Sequence, residues 1–377
     1  MLTRYPHLLL LGLVALLYSP ILTTAQEPKE DIVRVRTRVV FVDALVQDKK
    51  TGAPIADLTR ENFEVLADGK PRAITYFSRE GEAREKPLAV VIALDVWGGR
   101  SIDYLKKKEV AEQLVAAVDK LSPEDEVGVM LMSAEKDRNS DVFLGRCEML
   151  DRLTRDRAKT TAALRDVPRR AAQLQAYFKS FPAPRPDLSG SVQFPTSVSQ
   201  GGLACASDEV SRLAAGEKAN AQVVAIVLTD DLVPFDLADR AEATRKLLAS
   251  GVTVSGLLMG DVSFADKVFI GIIGKPYVRA LGSGLSSVDY FAKQTGGEAL
   301  RVNRPEDFAG AVGRLIDALA ARYSLGFTLA EGERDDGRLH KLEVKVKARD
   351  TRGKERKLSV SARRGYYMKI QDATVQK

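Results

Sequence analysis

Histidine and cysteine are almost absent from this chain of 377 residues, which holds two of each. One of the histidines, His7, lies in an apolar stretch at the start, which leaves His340 for the body of the protein. A zinc site needs several His or Cys ligands, and only Cys147 and Cys205 stand beside His340 to supply them. Zinc hydrolase chemistry is therefore all but ruled out, and a Ser-His-Asp triad would have to be built on His340. No nucleophile paired with a base, no phosphate loop and no cofactor fingerprint is visible. The Gly282-Ser283-Gly284 run precedes no clean strand-helix unit and reads as a loop. The expectation is a protein that is not an enzyme. Tryptophan is scarcer still, with Trp97 alone.

What is present is ordinary for a globular protein. Hydrophobic residues make up 45%, charged residues 29% and aromatics 6%, which excludes collagen-like, membrane-embedded and disordered classes for most of the chain. The net charge of +6 is uneven: from Glu331 onward there are 14 Lys plus Arg against 8 Asp plus Glu, a surplus equal to that of the whole chain. A basic tail can attract anionic lipid, polysaccharide or nucleic acid. Yet Lys341, Glu343, Lys345, Lys347 and Arg349 alternate with Leu342, Val344, Val346 and Ala348, as on the solvent face of a half-buried strand. Nucleic acid is not an expected partner.

Arg4, the apolar run Leu8 to Tyr18, the breaker Pro20 and the small residues Thr23-Thr24-Ala25 read as an export signal cleaved after Ala25. The run is shorter than the ~20 residues that span a bilayer, so no transmembrane span is expected after signal removal, and an uncleaved anchor is the alternative. The expected location is secreted or periplasmic. Beyond the cytoplasm Cys147 and Cys205 can pair, or they lie as two buried small apolar side chains.

Three textures follow the signal. Residues 26–84 are a β unit: an alternating stretch from Ile32 to Val46, a turn through Asp48 to Gly52, and a hairpin of Phe63 to Leu66 with Ala73 to Phe77 about the Asp68-Gly69 turn. Residues 85–321 alternate buried strands with helices. Leu88 to Leu94, Val127 to Met132, Ala221 to Leu228, Val252 to Leu258 and Glu298 to Val302 are the strands. Val110 to Leu121, Asp156 to Val167, Leu203 to Ala215, Leu237 to Ala249 and Phe308 to Leu319 carry helical spacing. This is an α/β fold, a doubly wound and mostly parallel sheet. The stretch 181–202 reads as a long surface loop, and the apolar patch Val268 to Ile273 as a buried insertion or an exposed contact site. Residues 322–368 return to β texture, and 369–377 are a tail. A few strands at each end make a poor fold alone, so the N- and C-terminal segments are expected to join in one β-sandwich-like unit.

In an open parallel sheet ligands sit beyond the carboxyl ends of the strands. Asp95 ends the first strand there, and Asp230 follows Val227-Leu228-Thr229. For each, the alternative reading is a cap for the next helix. With these residues the chain resembles the von Willebrand factor type A domain. In that family an Asp-x-Ser-x-Ser loop, a Thr from a second loop and a Thr-Asp-Gly build a metal-ion-dependent adhesion site. More closely, the chain is similar to secreted acidobacterial proteins related to that domain. This likeness rests on the ordered succession Leu58-Thr59-Arg60-Glu61-Asn62-Phe63-Glu64-Val65, Asp68-Gly69-Lys70, Leu153-Thr154-Arg155-Asp156-Arg157, Thr295-Gly296-Gly297, Arg322-Tyr323-Ser324-Leu325-Gly326-Phe327 and Arg364-Gly365-Tyr366.

The adhesion motif departs from the family pattern. Asp95-Val96-Trp97-Gly98-Gly99 lacks both serines, the second loop aligns with Gly201-Gly202-Leu203-Ala204 and has no hydroxyl, and Asp231 replaces the final glycine. Asp95 and Asp230 keep their carboxylates, with Ser101 or Asp231 as substitutes, but a hard cation such as Mg²⁺ wants near-octahedral oxygen ligation. No cofactor is expected, and Mg²⁺ is the one cation left open. The resemblance then implies a protein-binding or adhesion module whose contact residues are Trp97, Gly98, Gly99, Arg100 and Ser101, with Trp97 as an amphipathic anchor or as filler of the vacated pocket. The alternative is a structural subunit of an envelope assembly. Neither the partner's identity nor the oligomeric state is legible.

Overall fold

The computed structural model describes residues 38–79, 87–97, 99–139, 143–180, 202–218, 220–231, 237–260, 286–330, 332–333 and 336–368. The signal segment 1–25, Gly98, the surface stretch 181–201, the apolar patch 268–273 and the tail 369–377 lie outside the described residues. Among those described, no helix is long and apolar enough to cross a membrane.

The chain opens with β1 (Val39–Asp48), β2 (Phe63–Ala67), β3 (Lys70–Arg72) and β4 (Tyr76–Ser78). The α/β layer follows with β5 (Leu88–Asp95), α1 (Gly99–Leu105), α2 (Lys108–Val118), β6 (Glu126–Lys136), β7 (Phe143–Thr154), α3 (Arg157–Lys179) and α4 (Gly202–Ala215). It continues through β8 (Gln222–Thr229), α5 (Leu237–Ser250), β9 (Thr253–Met259), α6 (Ser287–Thr295), β10 (Ala299–Val302) and α7 (Phe308–Ala320). The strands β11 (Tyr323–Thr328), β12 (Leu339–Val346), β13 (Leu358–Ala362) and β14 (Gly365–Tyr367) close the chain.

Six strands form the central sheet in the order β10-β9-β8-β5-β6-β7. All neighbours are parallel except β7, which runs antiparallel to β6 along the sheet's edge. Apolar residues on both faces of β5 explain its unbroken run: Leu88, Val90, Ile92 and Leu94 pack toward α2, α3 and α7, while Ala89, Val91 and Ala93 pack toward α4, α5 and α6. A strand covered on both sides has no polar face to alternate with. The chain leaves β5 for β6 on one side and returns to β8 on the other, so the topological switch point falls between the carboxyl ends of β5 and β8.

Both chain ends build two four-stranded sheets, β13-β1-β11-β4 and β14-β12-β2-β3, so each sheet mixes early and late strands. Their shared core holds Val42, Ala44, Val46, Phe63, Val65, Tyr323, Leu325, Phe327, Leu342 and Tyr366. Tyr323 pins a loop inside it: its hydroxyl donates to the Ile55 carbonyl at 2.7 Å and accepts from the Leu58 amide at 3.1 Å. The expected hairpin needs correction. Its second arm is Lys70–Arg72, whereas Tyr76–Ser78 crosses to the other sheet and pairs with β11. Pro71 is tolerated in β3 because β3 is an edge strand. Along β12 the predicted alternation is present, with Lys341, Glu343 and Lys345 exposed and His340 and Leu342 buried.

The outer face of the β1 sheet meets the α/β layer through Leu45, packed with Ala318 and Ala321, and through charge. Asp43 accepts hydrogen bonds from Gln222 Nε2 at 2.6 Å and from the Ser324 hydroxyl. Two arginines, Arg322 and Arg363, lie within its field, and burial lowers the pKa of each while Asp43 opposes that shift.

Candidate functional site

The apex is built where β5 and β8 end. Asp95 pairs in register with Met132 of β6, and Met132 with Cys147 of β7, so one row of residues crosses the sheet at its carboxyl edge. Gly202, the first residue of α4, approaches the same row so closely that a Cβ there would lie 2.8 Å from Met132 Cβ. Cys205, one turn further along α4, is joined to Cys147 by a disulfide with a Cα to Cα distance of 5.9 Å. The pairing left open by the sequence is therefore present, and it ties the second loop's helix to the edge strand.

The carboxylates at this edge are engaged by the chain itself. Asp95 accepts from the Trp97 amide at 3.1 Å and from the Thr229 hydroxyl, which in turn accepts from the Asp231 amide at 2.9 Å. Asp230 reaches across to the start of α1, where its Oδ2 accepts from the Arg100 amide at 2.7 Å and the Ser101 amide at 3.3 Å. It supplies the N-terminal cap that α1 lacks locally. Asp231 holds φ at 53°, the left-handed region that favours glycine. Its Oδ2 accepts from the Val288 amide at 3.3 Å, at the start of α6.

Burial, with Asp230 repelling as the next cause, pushes the Asp95 carboxyl up to about 7, against the opposing bonds from Thr229 and Trp97. Asp231 is likewise raised to about 7 by burial, against bonds from Ser286, Val288 and Ser287. Both shifts follow from burying neighbouring carboxylates together.

The residues expected to form the contact surface separate on inspection. Trp97 and Arg100 are half-buried at the apex, and the Arg100 side chain lies against Gly260, where a Cβ would come within 2.7 Å of Arg100 Cδ. Gly99 opens α1. Ser101 is fully buried, which corrects its assignment as a contact residue: its amide belongs to the Asp230 cap and its side chain is inside. Gly98 lies outside the described residues.

The donor set does not fit a hard divalent cation. Asp95 and Asp230 accept hydrogen bonds from within the chain, no Ser or Thr stands at positions 96–99, and the start of α4 brings no hydroxyl to the edge. Among the described residues, no group of three or more His, Cys, Asp or Glu side chains is arranged to hold a metal ion. His340 is far from any such chemistry: in the sandwich its ring meets Asp68 Oδ2 at 2.8 Å and Asp336 Oδ1 at 3.1 Å and stacks on Tyr366.

Sequence reasoning missed three parts of the apex: the Thr229 bridge between Asp95 and Asp231, the cap from Asp230 to α1, and the contact of Asp231 with the start of α6, although the segment Val288 to Gln294 is itself legible in the pattern. Only the last had a local signal, since Ser286 accepts from the Asp289 amide at 3.0 Å in a Ser-x-x-Asp helix start.

No protein-family model matches the chain, and no curated protein matches it. Solved structures offer likenesses at low identity. A conserved hypothetical protein, BatB, from Bacteroides thetaiotaomicron is 18% identical over 62% of this chain and 98% of its own, with a TM-score of 0.35. A von Willebrand factor type A protein from Catenulispora acidiphila is 12% identical over 87% of this chain and 73% of its own, with a TM-score of 0.36. Manganese-loaded TRAP from Plasmodium vivax is 13% identical over 81% of this chain and 98% of its own, with a TM-score of 0.34.

Proposed function

We propose that this chain is an exported, non-catalytic protein-binding module of von Willebrand A type that engages its partner at the apex of the parallel sheet without a metal ion. One observation carries the reading: the hydrogen bonds of Asp95 and Asp230 are made inside the chain, to Thr229, Trp97, Arg100 and Ser101, where a metal-dependent site would turn its oxygens to a cation. Recognition then falls to Trp97 and Arg100. A half-buried indole offers area at small entropic cost, and Trp and Arg are the residue types enriched where binding energy concentrates. Export is supported by the disulfide, because such bonds persist in oxidising compartments, and by the apolar run near the start of the chain. The single histidine beyond that run is held between two aspartates in the sandwich, away from the apex.

The test is capture of partners from the native host's periplasmic and surface fractions, with parent and Trp97→Ala proteins, in Mg²⁺ and in chelator. Binding should survive chelation and weaken by about 2 kcal/mol, roughly thirtyfold, in Trp97→Ala. Loss of binding in chelator, restored by Mg²⁺, would return the metal-dependent reading. Capture only as part of an intact envelope complex, indifferent to Trp97, would favour a structural subunit.

A further inference from the structure

We propose that the end of the β-sandwich formed by the turns at 49–51 and 350–357 is an electrostatic docking surface for an anionic lipid membrane. The Lys49 amide donates to the Lys357 carbonyl at 2.9 Å and so brings the two turns side by side. The second turn is closed by Asp350, whose amide donates to the Lys354 carbonyl at 2.8 Å. Lys49, Lys50, Arg352, Lys354 and Lys357 are all exposed there.

Three of the four acids at this end are engaged by the chain. Asp48 accepts from the Lys50 and Thr51 amides at 2.9 and 2.8 Å, and Asp350 accepts from the Arg352 and Lys354 amides at 2.9 Å each. Asp57 pairs with Arg356 at 2.8 Å, and the fourth, Glu355, is exposed among the bases. Among the described residues the five bases form no ion pair, whereas Arg165, Arg169, Arg212 and Arg245 on the helices each have a carboxylate partner. Counting Lys49 and Lys50 with Asp48 and Asp57, residues 48–57 and 349–357 carry seven Lys plus Arg against four Asp plus Glu, a local surplus of three positive charges at one end of the sandwich.

The partner's class follows from shape and composition. Long flexible bases on adjacent turn tips can all reach a plane of fixed negative charge. Residues 47–62 and 347–358 contain no aromatic side chain to stack on a base, which disfavours single-stranded nucleic acid. Each Lys or Arg held near an anionic leaflet strengthens binding roughly fivefold, and salt screens the attraction over about 10 Å. This surface is separate from the apex and does not depend on the reading given to it.

The test is co-sedimentation of the full chain with vesicles of phosphatidylcholine, with and without phosphatidylglycerol, at low and high salt. The expected result is binding only to the phosphatidylglycerol vesicles, weakened by salt and reduced roughly a hundredfold in Lys49→Glu/Lys50→Glu/Lys354→Glu. Thermal melting should be unchanged in that variant, and the single Lys50→Glu should show a smaller loss of the same kind. Lys108→Glu/Lys120→Glu/Lys179→Glu, equal in charge but on the helical layer, should bind as the parent does. Equal losses in both triple variants, no preference for phosphatidylglycerol, or tighter binding to a soluble acidic polysaccharide or DNA than to the vesicles would overturn the assignment.

Discussion

Asp43→Asn probes the charged contact between the sandwich and the α/β layer with a change of almost no volume. In the parent, Asp43 takes hydrogen bonds from Gln222 and Ser324. It also supplies the attraction that offsets burial of Arg322 and Arg363. Arg322 depends on that attraction most: it is 9% exposed, and its Nε, Nη1 and Nη2 find no hydrogen-bond partner. An arginine keeps its charge even when buried, so removing the carboxylate charge leaves Arg322 with Glu298 as its remaining counter-charge. The amide also turns one acceptor into a donor facing groups that already donate.

Leaving buried donors without their charged acceptor costs about 1 to 3 kcal/mol, and because Asp43 is half-buried and makes no ion pair with Arg322, a loss of about 2 kcal/mol is expected. Urea unfolding followed by circular dichroism measures the loss. The informative companion is Asp43→Asn combined with Arg322→Met, which withdraws both charges and should recover part of it, because the buried guanidinium that needed the counter-charge is then gone. An Asp43→Asn protein within about 0.5 kcal/mol of the parent, the range of ordinary surface changes, would falsify the argument, and so would a double variant less stable than the single.

Two further outcomes follow from the apex. Replacing Cys147 and Cys205 together by Ser should lower stability by about 4 kcal/mol, the chain-entropy value for a separation of 58 residues, and reductant should produce the same shift in the parent's denaturation midpoint. Asp95 and Asp231, raised from 3.8 to about 7, bind protons more tightly folded than unfolded. Their contribution is therefore most favourable below about pH 4 and is lost as pH rises through about 7, by on the order of a few kcal/mol per group. Asp231→Asn should flatten that decline in melts taken across the range, and a constant offset from the parent at every pH would refute the assignment.

The sequence made some of this legible for reasons that also explain its gaps. Strands β5, β6, β8 and β9 are buried on both faces, so their apolar runs announce them without any tertiary knowledge. By contrast β7 is an edge strand with polar residues such as Arg146, Glu148 and Arg152 among its apolar ones, and it passed unread. The Asp68-Gly69 turn fixed a hairpin, but local pattern could not tell which sheet would take Tyr76–Ser78, because that choice is made by β11, some 250 positions away. Lys70-Pro71-Arg72 has no β texture of its own and is a strand only because an edge leaves the proline nitrogen without a ladder partner to disappoint.

The candidate site divides along the same line. Asp95 and Asp230 stood out because the ends of buried strands are visible in sequence, and the missing serines because a motif can be checked position by position. What replaces the serines is non-local. Helix α1 begins at Gly99 with no Ser, Thr, Asp or Asn of its own to cap it, so nothing nearby predicts a helix there. The cap arrives from Asp230, 130 positions later. Asp230 thus serves as the acceptor that lets α1 form, and α1 in turn fixes Arg100 against Gly260 and buries Ser101. With no capping side chain in the immediately preceding sequence, α1 takes its first-turn acceptor from Asp230, whose Oδ2 meets both the Arg100 and the Ser101 amide.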